Sequence, residues 1–155
     1  MDREKILDKL ENKGFFHHNN YHIINRDEKE LTIKVDLTEI ANNPYGFAHG
    51  GLVFGLTDTI MGMLAATTGK KAVTMNANIS YLRPGEGSYL IAKGEILKNG
   101  SNICFLKSDV YNDQNQLVAT ATGTYYYLDE KKEGLLWQIK NYLKIQRNIW
   151  KKKFA

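Results

Sequence analysis

Two hydrophobic periodicities divide this chain. In Leu31 to Leu37, the apolar residues Leu31, Ile33, Val35 and Leu37 alternate with Thr32, Lys34 and Asp36, the signature of a half-buried strand. Tyr21 to Asn25 reads as its partner across the polar turn Arg26-Asp27-Glu28-Lys29. Before them, Asp2 to Asn12 places Ile6, Leu7 and Leu10 on one helical face, and Gly14 stands where a helix cap belongs. After the loop Asn42-Asn43-Pro44-Tyr45-Gly46 the pattern changes. Leu52 to Thr68 is apolar nearly all round, as in a helix buried at a fold's centre, and Thr68-Gly69 ends it.

Four more strands follow, Ala72 to Tyr81, Tyr89 to Leu97, Ile103 to Tyr111 and Leu117 to Leu128, each separated by turn residues. The short loops predict an antiparallel meander. The whole order predicts an α+β domain, an antiparallel sheet wrapped around one long helix, occupying 1–128. Within 129–155, Glu133 to Phe154 reads as an extra amphipathic helix. Leu135, Leu136, Ile139, Leu143 and Trp150 share its apolar face, beside a stripe of Lys140, Lys144, Arg147 and Lys151. Such a face predicts docking on the body or on another subunit. A membrane-surface role is the alternative, suggested by Trp150 and the Lys151-Lys152-Lys153 run.

Charge changes the picture only at this tail. The chain has 155 residues and a formal net charge of +4. Residues 129–155 hold eight Lys/Arg and three Asp/Glu, a net of +5, so the body carries −1, which argues against nucleic-acid binding by the domain as a whole. The one cysteine, Cys104, sits between Ile103 and Phe105. It reads as a core residue in a reducing, cytoplasmic compartment, and the start of the chain lacks the apolar core of a signal peptide. His17, His18 and His22 cluster without the spacing of a zinc motif, and no metal is expected. Neither a nucleotide-binding glycine pattern nor a Ser-centred nucleophile elbow occurs.

Two features carry candidate chemistry. Asp58 lies within the apolar helix, on a side shared with Gly55, Gly62, Ala65 and Ala66. A buried carboxylate needs a partner, solvent or a task. A structural hydrogen bond is the plainer reading of the residue alone, catalysis the sharper one. His49-Gly50-Gly51 opens the helix, where unpaired N–H groups at the positive end of the dipole suit a developing oxyanion. A tight loop-to-helix turn would use the same glycines. The two features lie about 10–13 Å apart along the axis, so a second subunit would have to bring them together on one substrate atom.

Taken in order, Asn43-Pro44-Tyr45-Gly46-Phe47-Ala48-His49-Gly50-Gly51, then Thr57-Asp58, then Thr74 to Pro84 with its Tyr81-Leu82-Arg83-Pro84, resemble the PaaI-type branch of hotdog-fold acyl-CoA thioesterases over about Glu30 to Leu128. The resemblance implies an acyl-CoA substrate, no cofactor, and a homo-oligomer, a dimer or a dimer of dimers (a homotetramer), with the site between subunits. It implies that Gly50, with Gly51, binds the thioester oxygen, and that Asp58 acts as general base or as nucleophile. Asn43 and His49 would position substrate or water, and Thr74 would hold the attacking water. Ser101 stands where many relatives carry a base that grips the CoA nucleotide. Lys98, Arg83 and Lys107 are the candidates to replace it. A hydratase resembling other hotdog proteins, and a non-catalytic module that binds acyl-CoA, are the competing readings.

Overall fold

The computed structural model describes residues 3–128 apart from 13, 28 and 29. The amphipathic helix expected in 129–155 lies outside the described residues.

Helix α1 (Arg3–Glu11) buries Leu7 completely. Gly14 takes a left-handed φ of +57°, which glycine adopts without strain. A five-residue helix, α2 (Gly14–His18), follows. His17 and His18 thus lie on a short helix, whose Phe16 turns inward and is 4% exposed. Strands β1 (Tyr21–Asn25) and β2 (Glu30–Asp36) pair antiparallel.

Helix α3 (Gly50–Thr67) runs through the centre and packs on β2 and on the four later strands. Those strands are β3 (Ala72–Tyr81), β4 (Tyr89–Asn99), β5 (Ile103–Asn112) and β6 (Leu117–Tyr127). Among the described residues α3 is the helix long and apolar enough to cross a bilayer. Its apolar residues have another use, since Val53, Leu56, Ile60, Met61 and Leu64 are at most 2% exposed inside the sheet's curve. Gly94 of β4 sets the closeness of that seat. A Cβ there would stand 2.8 Å from Leu64 Cδ1 and 3.0 Å from Ile60 Cγ1. In β5, Cys104, Leu106, Ser108 and Val110 face this core by strict alternation.

All six strands form one antiparallel sheet in the order β1-β2-β4-β5-β6-β3. This corrects the expected meander. It holds for β4-β5-β6, but β3 pairs with β6 at the far edge and not with β4. The link Leu82 to Ser88 is what permits it. Its seven residues reach about 23 Å when extended, and the three strand spacings it crosses amount to about 14 Å. The same link pins the loop ahead of α3. Ala48 donates its N–H to Gly85 O at 2.8 Å, and a Cβ on Gly85 would fall 2.7 Å from Ala48 Cβ.

A candidate active site on the central helix

Asp58 sits midway along α3, half-buried, with its carboxylate held by two hydroxyls from different strands. Thr74 of β3 donates its Oγ1 proton to Asp58 Oδ1 at 3.0 Å. Tyr125 Oη of β6 lies 2.6 Å from the same oxygen and 2.9 Å from the Asp58 carbonyl oxygen. Burial, and then the bond to Asp58, raise the Tyr125 phenol well above its ordinary range. Tyr125 therefore remains a donor at any pH at which the protein works. Asp58 Oδ2 accepts from none of the described side chains and is left for water or substrate.

Beside this carboxylate opens a cavity of about 470 Å³. Asp58, Thr74 and Tyr125 line it together with Gly62 and Ala66 of α3. The small residues expected on the Asp58 side thus divide. Gly62 and Ala66 face the cavity, Ala65 is fully buried, and Gly55 is covered by Phe15 and Tyr21.

The second feature lies at the start of α3. His49 caps the helix, and its Nδ1 accepts the Gly51 N–H at 2.9 Å. That bond occupies the Gly51 donor and places the ring proton on Nε2. Gly50 N–H has no acceptor among the described residues and stands at the positive end of the helix dipole. Tyr81 Oη fixes the turn by donating to Gly50 O at 2.9 Å. Asn43 builds the preceding loop. Its Oδ1 accepts N–H groups from Tyr45 at 2.9 Å and Phe47 at 3.2 Å. His49 and Gly51 line a separate cavity of about 490 Å³ with His18, Asp36 and Leu52.

The fold thus brings Asp58 and Thr74 together at one cavity and His49 and Gly51 together at another, with Gly50 between the latter two in sequence and lining neither cavity. Arg83, Lys98 and Ser101 line neither cavity. Arg83 Nη1 donates to Leu117 O at 2.9 Å, and Ser101 O accepts from Lys70 Nζ at 3.0 Å. Lys98 lies at a bulge in β4, opposite Phe105 of β5. Lys107 is bound to Asp109 at 2.7 Å. Among the described residues no three His, Cys, Asp or Glu side chains gather as a metal would need.

Sequence reasoning missed Tyr125. The signal was present in the alternation of β6, which turns Ala119, Ala121, Gly123 and Tyr125 toward the helix. A phenol among small residues on a helix-facing row must find a buried acceptor.

This chain is similar to known proteins. The thioesterase superfamily model matches residues 45–119. A hypothetical thioesterase of Streptococcus pneumoniae TIGR4, solved with coenzyme A, is 31% identical. The match covers 70% of this chain and 86% of that one, with a TM-score of 0.67. Mouse acyl-coenzyme A thioesterase 13 is 28% identical over 93 residues, 58% of this chain and 66% of the enzyme. A relative from Archaeoglobus fulgidus, 29% identical over 102 residues, is spanned over 64% of its own length. In fold alone, the PaaI protein of Escherichia coli superposes with a TM-score of 0.77 at 24% identity, over 82% of this chain and 94% of that protein. The chain belongs to the thioesterase superfamily, and its sheet around a central helix is the hotdog fold of these proteins.

Proposed function

We propose that this protein hydrolyses acyl-CoA thioesters to the free acid and coenzyme A, with Asp58 as the reacting carboxylate. One observation carries the proposal: Asp58 lines an open cavity while its Oδ1 is fixed by two hydroxyl donors. A carboxylate held at one oxygen is oriented to use the other, either to take a proton from water or to attack the thioester carbon. The names of the relatives, a mouse acyl-CoA thioesterase and a thioesterase solved with coenzyme A, support the same substrate class.

Gly50 N–H supplies the oxyanion donor, and because Gly50 does not line the Asp58 cavity of its own chain, a second copy brings the two together. We therefore assign a homodimer, or a dimer of dimers, in which the Gly50 N–H of one protomer meets the Asp58 of the other. The edge position of β3, with Val73 and Met75 exposed, supports such an assembly. Asn43 acts through the loop it folds, and His49, whose Nδ1 is held by Gly51 N–H, offers its Nε2–H at the helix start. Lys98, Arg83 and Ser101 remain the candidate contacts for the CoA nucleotide. Cys104, fully buried and without a partner thiol, fits a reducing cytoplasm.

The test is thiol release from a panel of acyl-CoAs by wild type and Asp58→Asn. Wild-type release that the variant loses by at least a hundredfold is expected. Equal rates would refute the role of Asp58. Saturable acyl-CoA binding with no release by wild type would leave a binding module in place of an enzyme.

A further inference from the structure

The cavity beside Asp58 has a wall that the catalytic residues do not explain. Leu10, Phe15 and Phe16, from the N-terminal helices α1 and α2, line it with apolar side chains. All three precede residue 45, where the match to the thioesterase superfamily begins. The cavity's other apolar lining includes Met63 and Ala66 of α3.

This wall is built to stay in place. Leu7 anchors α1 in the core with no exposed surface. Arg26 gathers three carboxylates of the same helix: Glu4 at 3.0 Å, Asp8 at 2.7 Å and Glu11 at 2.5 Å. Both phenylalanines meet Tyr21 edge-on, Phe16 at 5.7 Å and Phe15 at 6.2 Å between centroids. Phe15 also depends on Gly55. A Cβ at that position would stand 3.1 Å from two atoms of its ring. Glycine here lets an aromatic ring lie against the helix one turn before the reacting carboxylate. Yet Phe15 is 59% exposed. A large apolar ring held against a helix, on the rim of a reactive cavity, is half of a contact.

We propose that Phe15, with Leu10 and Phe16, is the wall against which the acyl group packs, and that it determines which acyl groups are accepted. The ligand is an apolar acyl chain or ring running from Asp58 along the small-residue strip of Gly62 and Ala66. From Asp58 to Ala66 that strip is about 12 Å long, room for a medium-length chain. The proposal rests on the thioesterase reading of this site.

The experiment compares kcat/KM across acetyl-, butyryl-, octanoyl-, dodecanoyl- and phenylacetyl-CoA for wild type, Phe15→Ala and Ala66→Leu. Removing the ring enlarges the cavity, so the dodecanoyl-to-butyryl ratio should rise about tenfold in Phe15→Ala. Ala66→Leu narrows the strip, and the same ratio should fall. The readout is a ratio, so partial misfolding, which lowers every rate together, leaves it unmoved. Unchanged ratios in both variants of an active enzyme would overturn the acyl wall and leave the thioesterase intact. A wild type that releases thiol from no acyl-CoA would overturn both.

Discussion

Replacing Tyr125 with Phe removes one oxygen atom and leaves the ring in its seat. The ring is 2% exposed and rests near Gly123 and Met61, where a Cβ on Gly123 would stand 2.9 Å from Tyr125 Cε2 and 3.1 Å from Met61 Cε. No cavity opens, so the cost is that of the hydrogen bond. A net bond to a charged group contributes about 1.5–3 kcal/mol. Asp58 keeps Thr74 as a donor and is half-buried, so water replaces part of what is lost, and the low end applies, about 1.5 kcal/mol. For a domain of this size that lowers Tm by about 3–6 °C. Urea unfolding at pH 7, with m unchanged, measures it directly. The same variant frees the carboxylate to turn, and kcat should fall about 10- to 100-fold, since small misplacements of a reacting group are costly. A stability change below about 0.5 kcal/mol, which is under the usual net worth of one hydrogen bond, together with an unchanged kcat, would refute the reasoning that Tyr125 holds Asp58.

Gly94→Ala should destabilise by about 1–3 kcal/mol through overpacking against Leu64 and Ile60, measured by urea unfolding. Loss of less than half of that would mean that α3 shifts to accommodate a methyl group. Arg26→Gln removes a half-exposed ion cluster and should cost about 1 kcal/mol globally, yet speed amide exchange selectively in α1. Uniform exchange rates would show that Leu7 alone holds the helix. The buried phenols set an alkaline limit. Burial and a hydrogen bond to Cys104 push Tyr127 up to about 12, and burial raises Tyr21 and Tyr125 further. Each keeps its proton more tightly folded than unfolded. The stability they contribute is therefore intact below about pH 10, the unfolded phenol's pKa, and is lost as the pH rises above it. Thermal melts between pH 8 and 11 should show a flat region and then a decline accompanied by tyrosinate absorbance.

Local pattern was enough for most elements. Alternation and a polar turn placed β1 at Tyr21–Asn25, where the structure has it. The all-round apolar run located α3 to within two residues at its start. His49 as the residue opening that helix was legible from the two glycines after it. The bounds were legible because each depends on residues a few positions apart, through periodicity, caps and turns.

What only tertiary structure decided are the relations across long separations. The edge position of β3 follows from the crossing link Leu82 to Ser88, and a short-loop pattern does not reveal which strand it passes. Thr74 meets Asp58 across 16 residues and Tyr125 meets it across 67, contacts that depend on how the sheet curls over α3. Phe15 reaches the cavity only because Gly55 leaves room for its ring. Helix and strand type are written in local hydrophobic order. Which hydroxyl turns toward which carboxylate is decided by packing, where each side chain takes the space its distant neighbours leave.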